Sequence, residues 1–309
     1  MENNNTPKPA RSQPIPLGAK GAGLSYTSAV LFNLIVSVLF SIIIIAFSLQ
    51  DGAAASYLSL LTSPIAIAIT LTLTVKLGKQ PIKSLLPVKC RPHYFAIALL
   101  LAFGALFSLS WINEGILKLL QLMGYVPRES FVPDVTGWRV VPVLLTVAVI
   151  PAFMEEFLFR GILLNNAEEE LGTVRAVLIS GFCFSLYHGS AEQTVYQFIM
   201  GCIFGLLAVR SRSVAPVILT HFLNNAVIII LLACGAYDEG TGALLISRGG
   251  SVALYVTSAV SLVAGLVWLF LTNRNVKPYK KGSVKTFFIW GAVGIGAMAL
   301  VWIISLFVK

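Results

Sequence analysis

The feature that most constrains this chain is a series of long apolar runs. Stretches near or above about 20 residues, nearly free of charge, recur along the sequence, and that is the length a helix needs to cross a bilayer. We read about nine such spans, near residues 26–49, 57–77, 94–122, 140–164, 174–190, 194–210, 214–235, 252–272 and 285–308, with eight possible. A transmembrane β-barrel would instead alternate in hydrophobicity over strands of about ten residues. The fold class is therefore all-α, a polytopic transmembrane helical bundle. Composition agrees: 57% of the 309 residues are hydrophobic and 11% are charged, where a soluble domain carries about a quarter charged residues.

The net charge of +9 does not point to nucleic acid, because the cations sit in short loops between spans. With the N-terminus placed in the cytoplasm, 16 Lys and Arg fall on the inside and four on the outside (Arg128, Arg139, Arg248, Lys309). Cytoplasmic loops carry this kind of excess. The four cysteines, Cys90, Cys183, Cys202 and Cys234, are scattered and form no disulfide framework. Residues 1–24 are polar and read as a disordered cytoplasmic tail. The first run is longer than the 7–15-residue core of a signal peptide and is kept as a span. Residues 25–138 then hold the N-terminal helices, 139–236 a central unit and 237–309 the C-terminal helices. The runs 174–190 and 194–210 are short and joined by a small turn, so this hairpin is expected to turn back inside the bilayer.

Ionisable residues inside spans are functional hypotheses by default. The stretch "MEEFLFR", residues 154–160, puts two glutamates and an arginine into an oily run. Glu156 and Arg160 are four apart and share a helix face, so they are expected to pair as scaffolding. Glu155 points about 100° away and is left free. Pro151 lacks an N–H and frees a carbonyl, which is expected to kink the helix near the site. Of only three histidines, His188 in "FSLYH" and His221 in "HFLNN" lie within apolar runs. Phe184 shares a face with His188, and Asn225 shares one with His221. A lone His or Asn in a span is more often helix–helix glue, a reading that weakens when several converge. At about 1.5 Å per residue, Glu155, His188, His221 and Asn225 all lie roughly 14–20 Å from the cytoplasmic ends of their helices.

A carboxylate and an imidazole around one water make a general-base site. His221 and Asn225 have the groups to donate to an oxyanion. This suits hydrolysis of a peptide bond. Glu155, His188 and His221 are also possible zinc ligands, but no HExxH spacing supports a metal, and a metal-free site is preferred.

The series "EEFLFRG", "FSLYH" and "HFLNN", in order and at ordinary separations over about residues 140–230, resembles the CAAX prenyl endopeptidase family. It is also called CPBP or Abi and includes bacteriocin-processing and immunity proteins. The resemblance implies an intramembrane endopeptidase whose CPBP/CAAX-like core is residues 139–236. It implies Glu155 as the base that activates water, His188 assisting, and His221 with Asn225 as the oxyanion site. Glu156, Arg160 and Phe184 would support them. Such proteins are often labelled metalloproteases; here no cofactor is preferred, with zinc as the alternative. The expected partners are the lipid bilayer and a peptide or protein substrate, of CAAX type or a bacteriocin or signal peptide, with no nucleic acid. The expected location is a bacterial plasma membrane. The competing readings are a non-enzymatic immunity protein or regulator of a sensor kinase, and a transporter. Oligomeric state is left open.

Overall fold

The computed structural model describes residues 17–50, 52–78, 87–127, 133–236, 244–272 and 281–307. Within these, nine helices follow one another: α1 (Gly18–Ala46), α2 (Ala53–Leu77), α3 (His93–Leu122, bent at Leu109), α4 (Gly137–Leu171), α5 (Thr173–Tyr187), α6 (Thr194–Ser211), α7 (Ala215–Ala233), α8 (Arg248–Leu271) and α9 (Val284–Ser305). The nine apolar runs each became a helix, but only eight are long and apolar enough to cross a membrane. The fold is an all-α polytopic bundle.

The one helix that falls short is α5. Its 15 residues reach about 22 Å, against roughly 30 Å of hydrocarbon. The run expected at 174–190 therefore stops at Tyr187, and the chain turns through Gly189 (φ +60°) into α6.

The N-terminal tail expected over residues 1–24 is also corrected in part. Residues 1–16 lie outside the described residues, but α1 already begins at Gly18. Its first N–H groups find acceptors on the end of α4: Leu17 N–H donates to Asn166 Oδ1 at 3.2 Å and Ala19 N–H to Glu170 Oε2 at 3.0 Å. Gly18 has φ +60°, and a Cβ there would lie 2.0 Å from Glu170 Oε1. Of the cations counted above, Lys8, Arg11, Lys79, Lys83, Arg128, Arg274, Lys277, Lys280 and Lys309 lie outside the described residues.

Helices α4, α5, α6 and α7 form the centre, with α3 and α8 packed together on one flank and α1 and α9 on the other. The outer helices turn large apolar side chains outward, among them Val38, Leu39 and Ile42 on α1 and Val256, Val260 and Val263 on α8. Contiguous apolar surface on this scale is the face a bilayer covers. Centrally, α5 and α6 cross at two glycines. A Cβ on Gly201 would sit 2.8 Å from Gly181 Cα, and one on Gly181 would sit 2.7 Å from Cys202 Sγ. Small residues allow backbones this close in membrane bundles, and the approach sets where the Gly201 carbonyl points.

Helix α4 is the longest, and it is not uniformly wound. Two π-helical stretches interrupt it, Leu144–Val149 and Phe157–Leu164, on either side of the Glu155–Glu156 turn. Such widened turns appear often at functional sites. At its start Asp134 accepts the Thr136 N–H at 2.8 Å and pairs with Arg139. The hydrogen bond from Thr136, with Arg139 adding to it, holds the Asp134 carboxyl below the usual carboxylate range.

Candidate active site

Three central helices and the end of the α5 hairpin bring the polar residues together. Arg160 Nη1 donates to Glu156 Oε1 at 2.9 Å, with both side chains wholly buried. This is the i, i+4 pair that the spacing predicts, kept although a π-helical stretch starts at Phe157. The second arm of the guanidinium, Nη2, donates to the Gly201 carbonyl at 2.9 Å, so the glycine crossing of α5 and α6 supplies an acceptor for a buried charge. The guanidinium carbon lies 4.6 Å from the Phe184 ring centroid and 5.2 Å from that of Phe204, within the range of a cation–π contact.

From α7, His221 Nδ1 meets the same Glu156 Oε1 at 2.8 Å. The sequence placed His221 beside Asn225 as a joint donor pair. The structure instead joins His221 to the Glu156–Arg160 pair, making a buried trio. An ionised carboxylate only accepts, so the shared oxygen takes an N–H from each partner. Nε2 is then the His221 nitrogen left to face a substrate, and it donates only when the ring is protonated. In that state the trio carries a net +1.

Asn225 follows His221 by one turn of α7. Its Nδ2 donates to the Val147 carbonyl at 3.0 Å. Val147 is four residues before Pro151, so this is the carbonyl that proline leaves without its helical donor. It lies within the first π-helical stretch of α4. Asn225 is itself held: Asn224 Nδ2 donates to Asn225 Oδ1 at 3.3 Å, and Tyr196 Oη donates to Asn224 Oδ1 at 2.9 Å. The sequence flagged the freed carbonyl but not its partner. Asn224 and Tyr196 were missed as well, although the doubled Asn in "HFLNN" was a visible signal.

Glu155 is the contrasting residue. It keeps 13% of its side-chain surface, and its Oε2 lies 4.0 Å from His188 Nε2, beyond hydrogen-bond reach. Oε2 is nevertheless buried and makes no hydrogen bond. His188 closes α5, and its Nδ1 lies 2.7 Å from the Phe184 carbonyl. A carbonyl can only accept, so Nδ1 carries the proton and Nε2 of the neutral ring is an acceptor. When the ring is neutral and the carboxyl ionised, Glu155 Oε2 and His188 Nε2 face each other across this gap as two acceptors.

Phe184 joins the two groups. Its ring centroid is 4.8 Å from that of His188 and 5.9 Å from that of His221. The Phe204 ring tilts against His221 at 5.3 Å, a neighbour the motif reading did not include. Tyr187, also missed, is buried beside His188 and accepts a hydrogen bond from Ser63 of α2 at 3.4 Å. Among the described residues no three His, Cys, Asp or Glu side chains gather as a metal-binding set. Of the trio that would hold zinc, Glu155 and His188 lie 4.0 Å apart, and His221 Nδ1 is engaged by Glu156, which leaves Nε2 as its ligand atom.

Residues 137–227 match the family model described as Type II CAAX prenyl endopeptidase Rce1-like. The matched segment contains Glu155, Glu156, Arg160, Phe184, His188, His221 and Asn225. No curated protein and no solved structure matches the chain.

Proposed function

We propose, from the match of residues 137–227 to an Rce1-like family model and from the eight helices able to cross a membrane, that the chain is an intramembrane endopeptidase in which Glu155 and His188 activate water. The observation that carries the reading is the pair of facing acceptors. A water between Glu155 Oε2 and His188 Nε2, 4.0 Å apart, donates one proton to each. Its lone pairs then point away from both, towards a substrate carbonyl. Glu155 takes the proton as the oxygen attacks, in the manner of a general base. The donors we assign to the tetrahedral oxyanion are the second N–H of Asn225 Nδ2 and, when its ring is protonated, His221 Nε2. The leaving amine recovers a proton from Glu155, so each turnover returns the site to its starting charge.

No step is routed through a metal, because the candidate ligands are not gathered as a set. The substrate class we propose is a peptide that enters from the lipid, lipid-anchored or itself apolar, at a plasma membrane with the N-terminus of this chain in the cytoplasm.

The test uses full-length protein in proteoliposomes with prenylated CAAX peptides and apolar leader peptides as substrates. Wild-type protein cleaves one of them, and Glu155→Gln lowers the rate by at least about a hundredfold. Full activity in that variant sinks the assignment. Loss of activity to a chelator, reversed by zinc, overturns the metal-free mechanism.

A further inference from the structure

On the basic side of the bundle, α3 and α6 enclose a cavity of about 660 Å³ that the proposed reaction does not use. Lys89, Cys90, Arg91, Tyr94, Arg210 and Ser211 line it. None of the residues assigned to the reaction is among them. Three of these six are cations and none is acidic. Here Lys89 and Arg91 share one hollow with Arg210, and like charges gathered this way attract an anion.

The walls of the cavity are fixed. Val214 N–H donates to the Pro87 carbonyl at 2.8 Å, which docks the segment carrying Lys89 and Arg91 against the start of α7. The Tyr94 hydroxyl donates to the Arg210 carbonyl at 2.7 Å and ties the first turn of α3 to the end of α6. Arg210 Nη1 donates to the Thr272 carbonyl at 3.3 Å, and its guanidinium lies 5.8 Å from the Phe270 ring. The N-terminus of α3, the positive end of its dipole, opens onto the same space with no side-chain cap. Lys89 and Arg91 are exposed and reach in from the rim.

The surroundings decide what kind of anion fits. His93 stacks on Trp268 at 6.3 Å, and Trp268 and Phe270 are turned outward at the end of α8. Aromatic side chains at this level mark the membrane interface. Below them, Phe95, Leu99 and Phe103 of α3 and Val267 of α8 present large apolar surface to the lipid. A cationic hollow at head-group depth above an apolar helix pair has the form of a phospholipid seat. Arginine suits it through the fit of its forked donors to phosphate oxygens.

We propose that this cavity binds a phosphate-bearing anion, seated there as the head group of an anionic membrane phospholipid. The phosphate lies among Lys89, Arg91 and Arg210, and the acyl chains run along α3 and α8.

The test titrates full-length protein in neutral detergent with phosphatidylglycerol or phosphatidylcholine and counts retained lipid by native mass spectrometry. Wild-type protein prefers phosphatidylglycerol. The Lys89→Gln/Arg91→Gln double variant, which alters only exposed side chains, binds it about thirtyfold more weakly. Lys281→Gln/Lys285→Gln removes the same charge elsewhere on the same side and leaves affinity within about twofold, because nearby cations outside the seat are screened. Equal binding by Lys89→Gln/Arg91→Gln and wild type overturns the site. So does equal retention of the two lipids, or an equal loss in both double variants, which would make the effect one of general surface charge. Sodium phosphate, matched in ionic strength to sodium chloride, is expected to leave the lipid bound. Displacement by phosphate but not by chloride would make a free phosphate compound the ligand and overturn the lipid assignment.

Discussion

Glu155 and Glu156 are neighbours in sequence, yet the two halves of the site around them are built in opposite ways. Around Glu156 the groups hold one another, although the buried Glu156 Oε2 and Arg160 Nε make no hydrogen bond. One carboxylate oxygen accepts from both Arg160 and His221, the guanidinium reaches on to the Gly201 carbonyl, and aromatic faces enclose the charge. Around Glu155 a buried oxygen makes no hydrogen bond and the nearest imidazole stands 4.0 Å away. The first half is arranged to hold still. The second leaves the buried Glu155 Oε2 unpaired beside an imidazole too far to reach it, and one unmet buried acceptor costs roughly 1–3 kcal/mol. The difference teaches that burial alone does not identify the working residue. The wholly buried Glu156 is tied to Arg160 and His221, whereas the partly exposed Glu155 has no such tie, and Glu155 is the acid we propose faces the reaction.

The strongest way to break this comparison is to neutralise Glu156. Glu156→Gln leaves Arg160 charged, wholly buried and without its anion, and removing one partner of such a pair costs about 3–5 kcal/mol. Thermal unfolding in detergent is expected to show that loss. Adding Arg160→Met removes the stranded charge and should recover more than half of it, since an apolar side chain can replace a buried ion pair at little cost. A Glu156→Gln variant as stable as wild type would mean that the first half is not locked.

A smaller effect is expected where α7 holds α4. Asn225→Ala leaves the Val147 carbonyl unpaired, at a cost of about 1–3 kcal/mol. Pro151→Ala restores an N–H four residues after Val147 and with it the ordinary helical donor. In a double-mutant cycle the penalty of Asn225→Ala should therefore shrink in the Pro151→Ala background, with a coupling of about 0.5–3 kcal/mol. Strict additivity would separate Asn225 from the carbonyl. The variant pair also sharpens the comparison, because it tests whether Asn225 serves the scaffold as well as the oxyanion.

Much of this was legible in the sequence, and the reasons are physical. The nine apolar helices followed from run length, although only eight are long and apolar enough to cross, and the hairpin's early turn from the shortness of its runs. The Glu156–Arg160 pair followed from helical spacing, which acts within one helix and needs no tertiary knowledge. What spacing does not contain is the partner across a helix interface. That His221 would choose Glu156, and Asn225 the Val147 carbonyl, depends on how α7 sits against α4. That in turn depends on π-helical stretches, which shift every later residue around the helix and leave no simple period in the sequence. The start of α1 was missed for a related reason. Gly18 and Ala19 look like linker residues until Glu170, 151 positions beyond Ala19, caps them.

The smallest expected stability change is also the most discriminating. Glu155→Gln makes the same chemical change as Glu156→Gln, one residue away. No hydrogen bond of Glu155 Oε2 is lost, because it makes none, and a partly buried carboxylate becomes a neutral amide, which is less costly to bury. Its unfolding midpoint should therefore stay within the equivalent of about 1 kcal/mol of wild type, or rise, as is common when a residue kept for function rather than stability is replaced. Adjacent glutamates would then respond to one substitution by several kcal/mol on one side and almost nothing on the other. A large destabilisation by Glu155→Gln would show instead that Glu155 is a second scaffold residue, and the loss of cleavage in that variant would no longer identify a base.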